Sequence, residues 1–232
     1  MSYDKKTREV FIYEDIGPAD FGMFGTATLM AALQALGDGD ITVRINSYGG
    51  SVDEALAMIE MLSRHDGDVS VTVDSIAASA ASLFPAYFPS EAAPHARIMI
   101  HNPWGVAMGD AEEFRKQADV LDMYRDSLVS IYENAMGMGR DEIVSLLDAE
   151  TWYNASTAAE AGLVDGVGSG SMVEPPEMPQ NRFRNAPVDL VGDPTSQPAE
   201  ARTEAPEAPE ENLELTNKLA MLRLKCKLKK SV

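Results

Sequence analysis

The chain holds three histidines, His65, His95 and His101, so base catalysis by an imidazole has three candidates. His65 lies in RHDGD and His95 in APHAR, polar contexts in which a solvated side chain is the default. His101 follows the apolar run RIMI and precedes Asn102-Pro103, which puts it at the carboxyl end of a strand, the edge of an α/β sheet where active sites collect. A strand-end histidine held by ordinary hydrogen bonds carries the same pattern. Ser79 is the candidate nucleophile. In VTVDSIAASAASLF a strand pattern changes around Ile76 and Ala77 to small, helix-compatible residues, so Ser79 is expected near a helix N-terminus. Unpaired backbone N–H groups and the positive end of the helix dipole stabilise a developing oxyanion there. Close packing of small residues explains the run without chemistry. In ITVRINSYGGSVDEAL a strand enters Gly49-Gly50 and then a helix that Ser51 and Glu54 are expected to cap reciprocally. Two glycines present N–H groups with no side chain in the way, which is half of an oxyanion hole or, more plainly, a tight strand-to-helix turn. Neither GxxxxGK[ST] nor GxGxxG is present, which disfavours a phosphate loop.

These residues need a scaffold, and the apolar pattern supplies one. Val10–Tyr13, Ile41–Ile45, Val69–Val73 and Arg97–Ile100 read as strands, each followed by a loop and a helix-like segment, an order that predicts an α/β domain with a largely parallel sheet. The longest helix is expected to start at Asp110, with Glu113 completing a capping box and Phe114, Ala118, Leu121, Leu128, Ile131 and Ala135 on one apolar face. Residues 1–170 form the expected domain. Composition changes after AGLVDGVGSG: eight of the thirteen prolines lie between Pro175 and Pro209, mixed with Glu, Ala and Gln. Such a stretch has too little apolar surface to offset the entropy of ordering, so residues 171–212 read as a disordered acidic linker. Residues 213–232 read as a basic amphipathic helix, with Leu215, Leu219 and Leu222 at helical spacing, for which a frayed tail and a docking element are both open.

Four phrases in order, INSYGGS, DSIAASAAS, RIMIHNP and EAGLVDGV, resemble the proteolytic subunit of the Clp protease family, whose usual forms are INSPGG, GQAASM, MIHQP and EYGLVD. The resemblance runs from about Val10 to Val167. It implies the ClpP/crotonase-like fold of repeated strand–strand–helix units with a long protruding helix, here followed by a disordered C-terminal tail. It implies serine endopeptidase activity with Ser79 as nucleophile, His101 as base and the backbone N–H groups of Gly50 and Ala80 as oxyanion donors. The family's third member is an aspartate. Both flanks align without a gap onto Glu150 in DAETWYNA, and Asp148 competes for the role from two residues away. The resemblance also implies homo-oligomeric rings of seven, single or stacked through the long helix, acting on protein or peptide substrates without a metal or organic cofactor. The short N-terminus and long tail look more like the phage head-maturation branch. Thr42, Arg44 and Arg64 stand where the family carries aromatics of its ATPase-docking pocket, which argues against a Clp ATPase partner.

The bulk properties restrict the alternatives. A formal charge of −18, from 37 acidic and 19 basic residues, disfavours gripping nucleic acid or an anionic membrane. No apolar run approaches the length of a membrane span and no secretory h-region follows MSYDKKTREV, so the reading is cytoplasmic. Cys226 is the single cysteine, which excludes an intrachain disulfide and a CxxC site. Two rival functions remain: a crotonase-like acyl-CoA enzyme, against which the Ser79 and His101 pairing speaks, and an inactive scaffold component, for which the tail and the substituted third position speak.

Overall fold

The computed structural model describes residues 2–170, 173–177 and 182–187. In chain order the elements are β1 (Tyr3–Asp4), β2 (Glu9–Ile12), α1 (Thr26–Leu36), β3 (Ile41–Ser47), α2 (Val52–Ser63), β4 (Val69–Ala78), α3 (Leu83–Tyr87), β5 (Ser90–Ala92), β6 (Arg97–Ile100), α4 (Ala111–Met136), α5 (Arg140–Asp148), β7 (Thr151–Asn154), α6 (Ala155–Ala161) and β8 (Gly166–Val167). The strands form one sheet in the order β1-β2-β3-β4-β5-β8, with β6 and β7 as a branch from β4. Every pairing is parallel except β1 with β2 and β6 with β7, in line with the expected architecture.

The branch begins at β4, which runs five residues further than its apolar pattern predicts. Its first half pairs Val71–Val73 with β5, and its second half pairs Ile76–Ala78 with Arg97–Met99 of β6. The second partner supplies hydrogen bonds that keep Ile76, Ala77 and Ala78 extended, so their helix-compatible side chains do not decide the conformation. All three are fully buried. The helix signal takes effect only at Ser79, where a 3₁₀ turn, Ser79–Ser82, leads into α3.

Helix α2 buries Ala55, Met58, Ile59 and Leu62, a stripe at helical spacing that packs on the core. Ser51 caps it by accepting from the Glu54 N–H at 3.3 Å, but Glu54 does not reciprocate. Its carboxylate instead accepts from the Thr26 N–H at 2.7 Å, so one acid serves the N-terminus of α1 while its own helix relies on the serine. Helix α4 starts as expected, with Asp110 accepting from the N–H groups of Glu112 and Glu113. The reciprocal half of its box is replaced by an ion pair from Glu113 to Lys116 at 3.1 Å. Only the C-terminal half of α4 is packed, through Leu128, Val129 and Tyr132, and residues 111–119 are exposed throughout, including Phe114.

The body continues past Gly170, where the sequence places the start of a linker. Within 171–212, the described residues 182–187 lie on the domain, and Phe183 is buried against Tyr48, Ile76, Ala78 and Met99. The expected tail helix at 213–232, with Cys226, lies outside the described residues.

Candidate active site

The register of four strands brings the sequence candidates to one edge of the sheet. Ala78 pairs with Met99, so Ser79 and His101 lie just beyond the carboxyl ends of adjacent parallel strands. Ile100 pairs with Thr151 across the antiparallel β6–β7 ladder, which sets Glu150 opposite His101. On the other side, Ser47 pairs with Ala77 after a register shift between β3 and β4, and Gly49-Gly50 follow after Tyr48.

Ser79 Oγ and His101 Nε2 are 2.8 Å apart. Ser79 has φ +54°, left-handed backbone that a non-glycine residue holds at a cost of about 1–3 kcal/mol. Ser79 opens the 3₁₀ turn that follows β4, so the next N–H, that of Ala80, lies in a first turn whose donors have no partner within the helix. Opposite it, Gly49 has φ +84°, and a side chain there would collide with the Ala78 carbonyl and come within 2.7 Å of the Ala80 nitrogen. Gly50 forms a parallel bridge with Ile16 through flanking groups: Ile16 N–H donates to the Gly49 carbonyl and Ser51 N–H to the Ile16 carbonyl, each at 2.9 Å. The Gly50 N–H therefore stays outside that pair, and a Cβ at Gly50 would strike the Ile16 carbonyl.

Burial pushes the His101 pKa below its ordinary value of 6.5; the Glu150 carboxylate opposes the shift, and the charges of Arg184 and Arg182 add to it. Glu150 is itself buried and left-handed, with φ +48°. Its carboxylate accepts from the backbone N–H groups of Arg184 at 3.0 Å and Asn185 at 2.6 Å, and from Trp152 Nε1 at 3.4 Å. Among the described residues no hydrogen bond joins it to His101. The competing Asp148 is exposed and accepts from Asn102 Nδ2 at 2.6 Å. His65, expected as a solvated bystander, is tied by Nε2 to the Gly39 carbonyl at 2.8 Å, and His95 is exposed.

Two contributors were not singled out from sequence. Ser82 Oγ donates to the Ser79 carbonyl at 2.6 Å and lies 2.8 Å from the hydroxyl of Tyr132 in α4, tying the strained turn to the long helix. The serine spacing in SAAS was visible, but its partner is 50 residues away. The second is the stretch Arg182–Asn185, of which Arg182 and Arg184 line a cleft of about 360 Å³ with His101, Asp148 and Glu150.

A serine hydroxyl in hydrogen-bond reach of an imidazole, with a buried carboxylate across the neighbouring ladder, is an arrangement able to support acyl transfer. The family model for Clp protease matches residues 2–171, and the chain belongs to the Clp protease family, a family of serine endopeptidases. It is 35% identical over 128 residues to the ATP-dependent Clp protease proteolytic subunit 1 of Chlamydia muridarum, covering 53% of this chain and 67% of that protein. It is 33% identical over 131 residues to the proteolytic subunit of Bacteroides fragilis, covering 55% of this chain and 63% of the relative. With the chloroplastic subunit 4 of Arabidopsis thaliana it shares 31% identity over 148 residues, 62% of this chain and 51% of the relative. The fold is similar to that of a solved ClpP1 mutant from Listeria monocytogenes, with a TM-score of 0.63, 23% identity, and coverage of 72% of this chain and 94% of that one.

Proposed function

We propose that this chain hydrolyses peptide bonds through an acyl-enzyme on Ser79. The observation that carries the reading is the 2.8 Å approach of Ser79 Oγ to His101 Nε2 at a strained turn beside Gly50 and Ala80. Neutral His101 accepts the hydroxyl proton as Ser79 Oγ attacks the carbonyl carbon. The Gly50 and Ala80 N–H groups stabilise the oxyanion, and the imidazolium gives its proton to the leaving amine. Water, deprotonated by His101, then attacks the ester, and Ser79 is released with its proton restored. Glu150 is assigned the third role, stabilising the imidazolium, because it is buried and acts on His101 by its charge, whereas the exposed Asp148 is engaged by Asn102. The test is treatment with a serine-reactive fluorophosphonate followed by mass spectrometry: a single adduct on Ser79 is expected, and no adduct on Ser79 refutes the reading.

The assembly we propose is a homo-oligomer of rings that stack through α4, which is exposed over residues 111–119 and presents Phe114 and Met123 to solvent. A Clp ATPase is not part of the proposal. Arg44 is committed to Asp74 and Glu9, and Thr42 Oγ1 lies 3.1 Å from Ser70 Oγ, so this surface is polar where the family's docking pocket is aromatic. The role we propose is phage head maturation, carried out without an unfoldase. Hydrolysis of an unstructured protein such as casein without ATP or any ATPase tests this point, and strict dependence on an added Clp ATPase overturns it.

A further inference from the structure

The stretch Arg182–Asn185 plays no part in the proposed chemistry, yet it lies against the groups that perform it. Phe183 is buried with its ring edge-on to His101, at 5.7 Å between centroids, and to Trp152, at 5.6 Å, and it lies 6.0 Å from the ring of Tyr48. The Arg182 guanidinium reaches Asp15 at 2.6 Å and the Gly49 carbonyl at 3.3 Å, and it sits 5.7 Å from the ring centre of Tyr48. Main-chain N–H groups of Arg184 and Asn185 occupy both oxygens of Glu150, and Asn185 Nδ2 donates to the Ala149 carbonyl at 2.9 Å.

These contacts fall into the two classes by which peptides are bound in clefts: main-chain hydrogen bonds that any sequence can make, and side-chain seats that select. The selecting seats are a carboxylate, Asp15, for a cation and an aromatic slot between Tyr48 and Trp152 for a ring. Both adjoin the reacting atoms, since Tyr48 precedes Gly49-Gly50, Arg182 touches the Gly49 carbonyl and Phe183 touches His101. A cation held between a carboxylate and an aromatic face gains from both.

We propose that Asp15, Tyr48 and Trp152 form a substrate subsite for a basic–aromatic pair, and that the chain's own Arg182-Phe183 fills it as an intramolecular competitor. This rests on the serine-peptidase reading of the same cleft. A substrate presenting Arg-Phe must displace the internal pair, so its apparent affinity is reduced by the fraction of molecules in which the seat is free. Weakening the internal pair therefore lowers KM and acts less on kcat.

The experiment compares the full chain with its R182A/F183A variant, each first titrated with fluorophosphonate. Failure to label the unmodified chain is failure of the serine-peptidase reading; the proposal is judged on untreated portions of preparations whose titrated aliquots label, since labelled Ser79 is inactive. On fluorogenic peptides containing Arg-Phe, the variant is expected to show a KM about 5-fold or more lower. Acetyl-Arg-Phe-Arg-Asn-amide should inhibit the variant competitively, with a Ki about tenfold weaker when its Phe is replaced by Ala. Should that variant not fold, Asp15→Asn in the otherwise unchanged chain serves: it is expected to lower KM for an Ala-Phe substrate, because the internal Arg182 is loosened, and to abolish the preference for Arg-Phe over Ala-Phe. An unchanged or raised KM in both variants, or equal inhibition by the Phe and Ala tetrapeptides, overturns the proposal.

Discussion

At the scale of single residues, the predictions turn on which proton carriers face each other across the β6–β7 ladder. Ser79→Ala should lower kcat by about 10⁴–10⁶-fold, as loss of a triad nucleophile does, with the fold retained by circular dichroism. Glu150→Gln should reduce kcat far more than Asp148→Asn, because an amide cannot stabilise the imidazolium. The reverse ranking reassigns the role to Asp148. The pH profile follows from the His101 shift. Its pKa is depressed by burial, so the neutral base persists below pH 6.5, and the acid limb of kcat/KM should lie below that value. Removing the charges in Arg182→Ala/Arg184→Ala should move the limb toward higher pH, and Glu150→Gln should move it lower, both read from kcat/KM against pH. The sign for stability is the same: the unfolded chain takes up the His101 proton first, so this residue's contribution is lost as pH falls from about 6.5 through the folded pKa. The serine, the histidine and the glycine pair were legible in the sequence because each sits in a short phrase whose neighbours form one strand end. The role of Phe183 was not, since nothing in a proline-rich stretch signals that one aromatic ring returns to a cleft built by residues 48, 101 and 152.

Element by element, local pattern and tertiary pairing compete, and the outcome decides where the chemistry sits. The alanine-rich end of β4 reads as helix by propensity, but pairing with β6 holds it extended, and this delay carries Ser79 to the strand end beside His101. The apolar face expected on α4 was legible as a periodicity. It is half used within the monomer, since Leu128 is buried while Phe114 projects beyond the body. Periodicity reports that a face is to be covered and not what covers it. If a second copy covers it, Phe114→Glu should shift the protein toward monomer in sedimentation velocity without unfolding it, and unchanged assembly would remove Phe114 from the interface. The packed half has a different task, because Tyr132 and Ser82 hold the carbonyl of the strained Ser79. Ser82→Ala deletes that bond, worth about 1 kcal/mol, and should lower kcat about 5-fold with little change in KM. Tyr132→Phe leaves the Ser82 donor in place and should be milder. Equal kcat for Ser82→Ala and the unmodified enzyme would mean that the 3₁₀ turn holds its geometry unaided.

For the whole molecule, the decisive question is where the folded unit ends. Composition puts the boundary at Gly170, yet the described core closes only with Phe183, the last buried apolar residue among those described. Truncation after Pro187 should therefore leave stability and peptide hydrolysis near those of the full chain. Truncation after Gly170 removes the Phe183 ring from its slot, whose burial is worth about 1.5–3 kcal/mol. In a domain of this size each kcal/mol corresponds to about 2–4 °C, so the shorter form should melt several degrees lower. The same deletion frees Glu150 from the two N–H groups and takes two positive charges away from His101. The shorter protein should thus be less stable and at the same time bind small basic–aromatic peptides with a lower KM. Calorimetry and peptide kinetics on the two truncations separate the possibilities: identical melting temperatures would show that 171–187 is not part of the folded unit. A lower melting temperature with raised KM would show that the segment completes the binding cleft and does not compete for it.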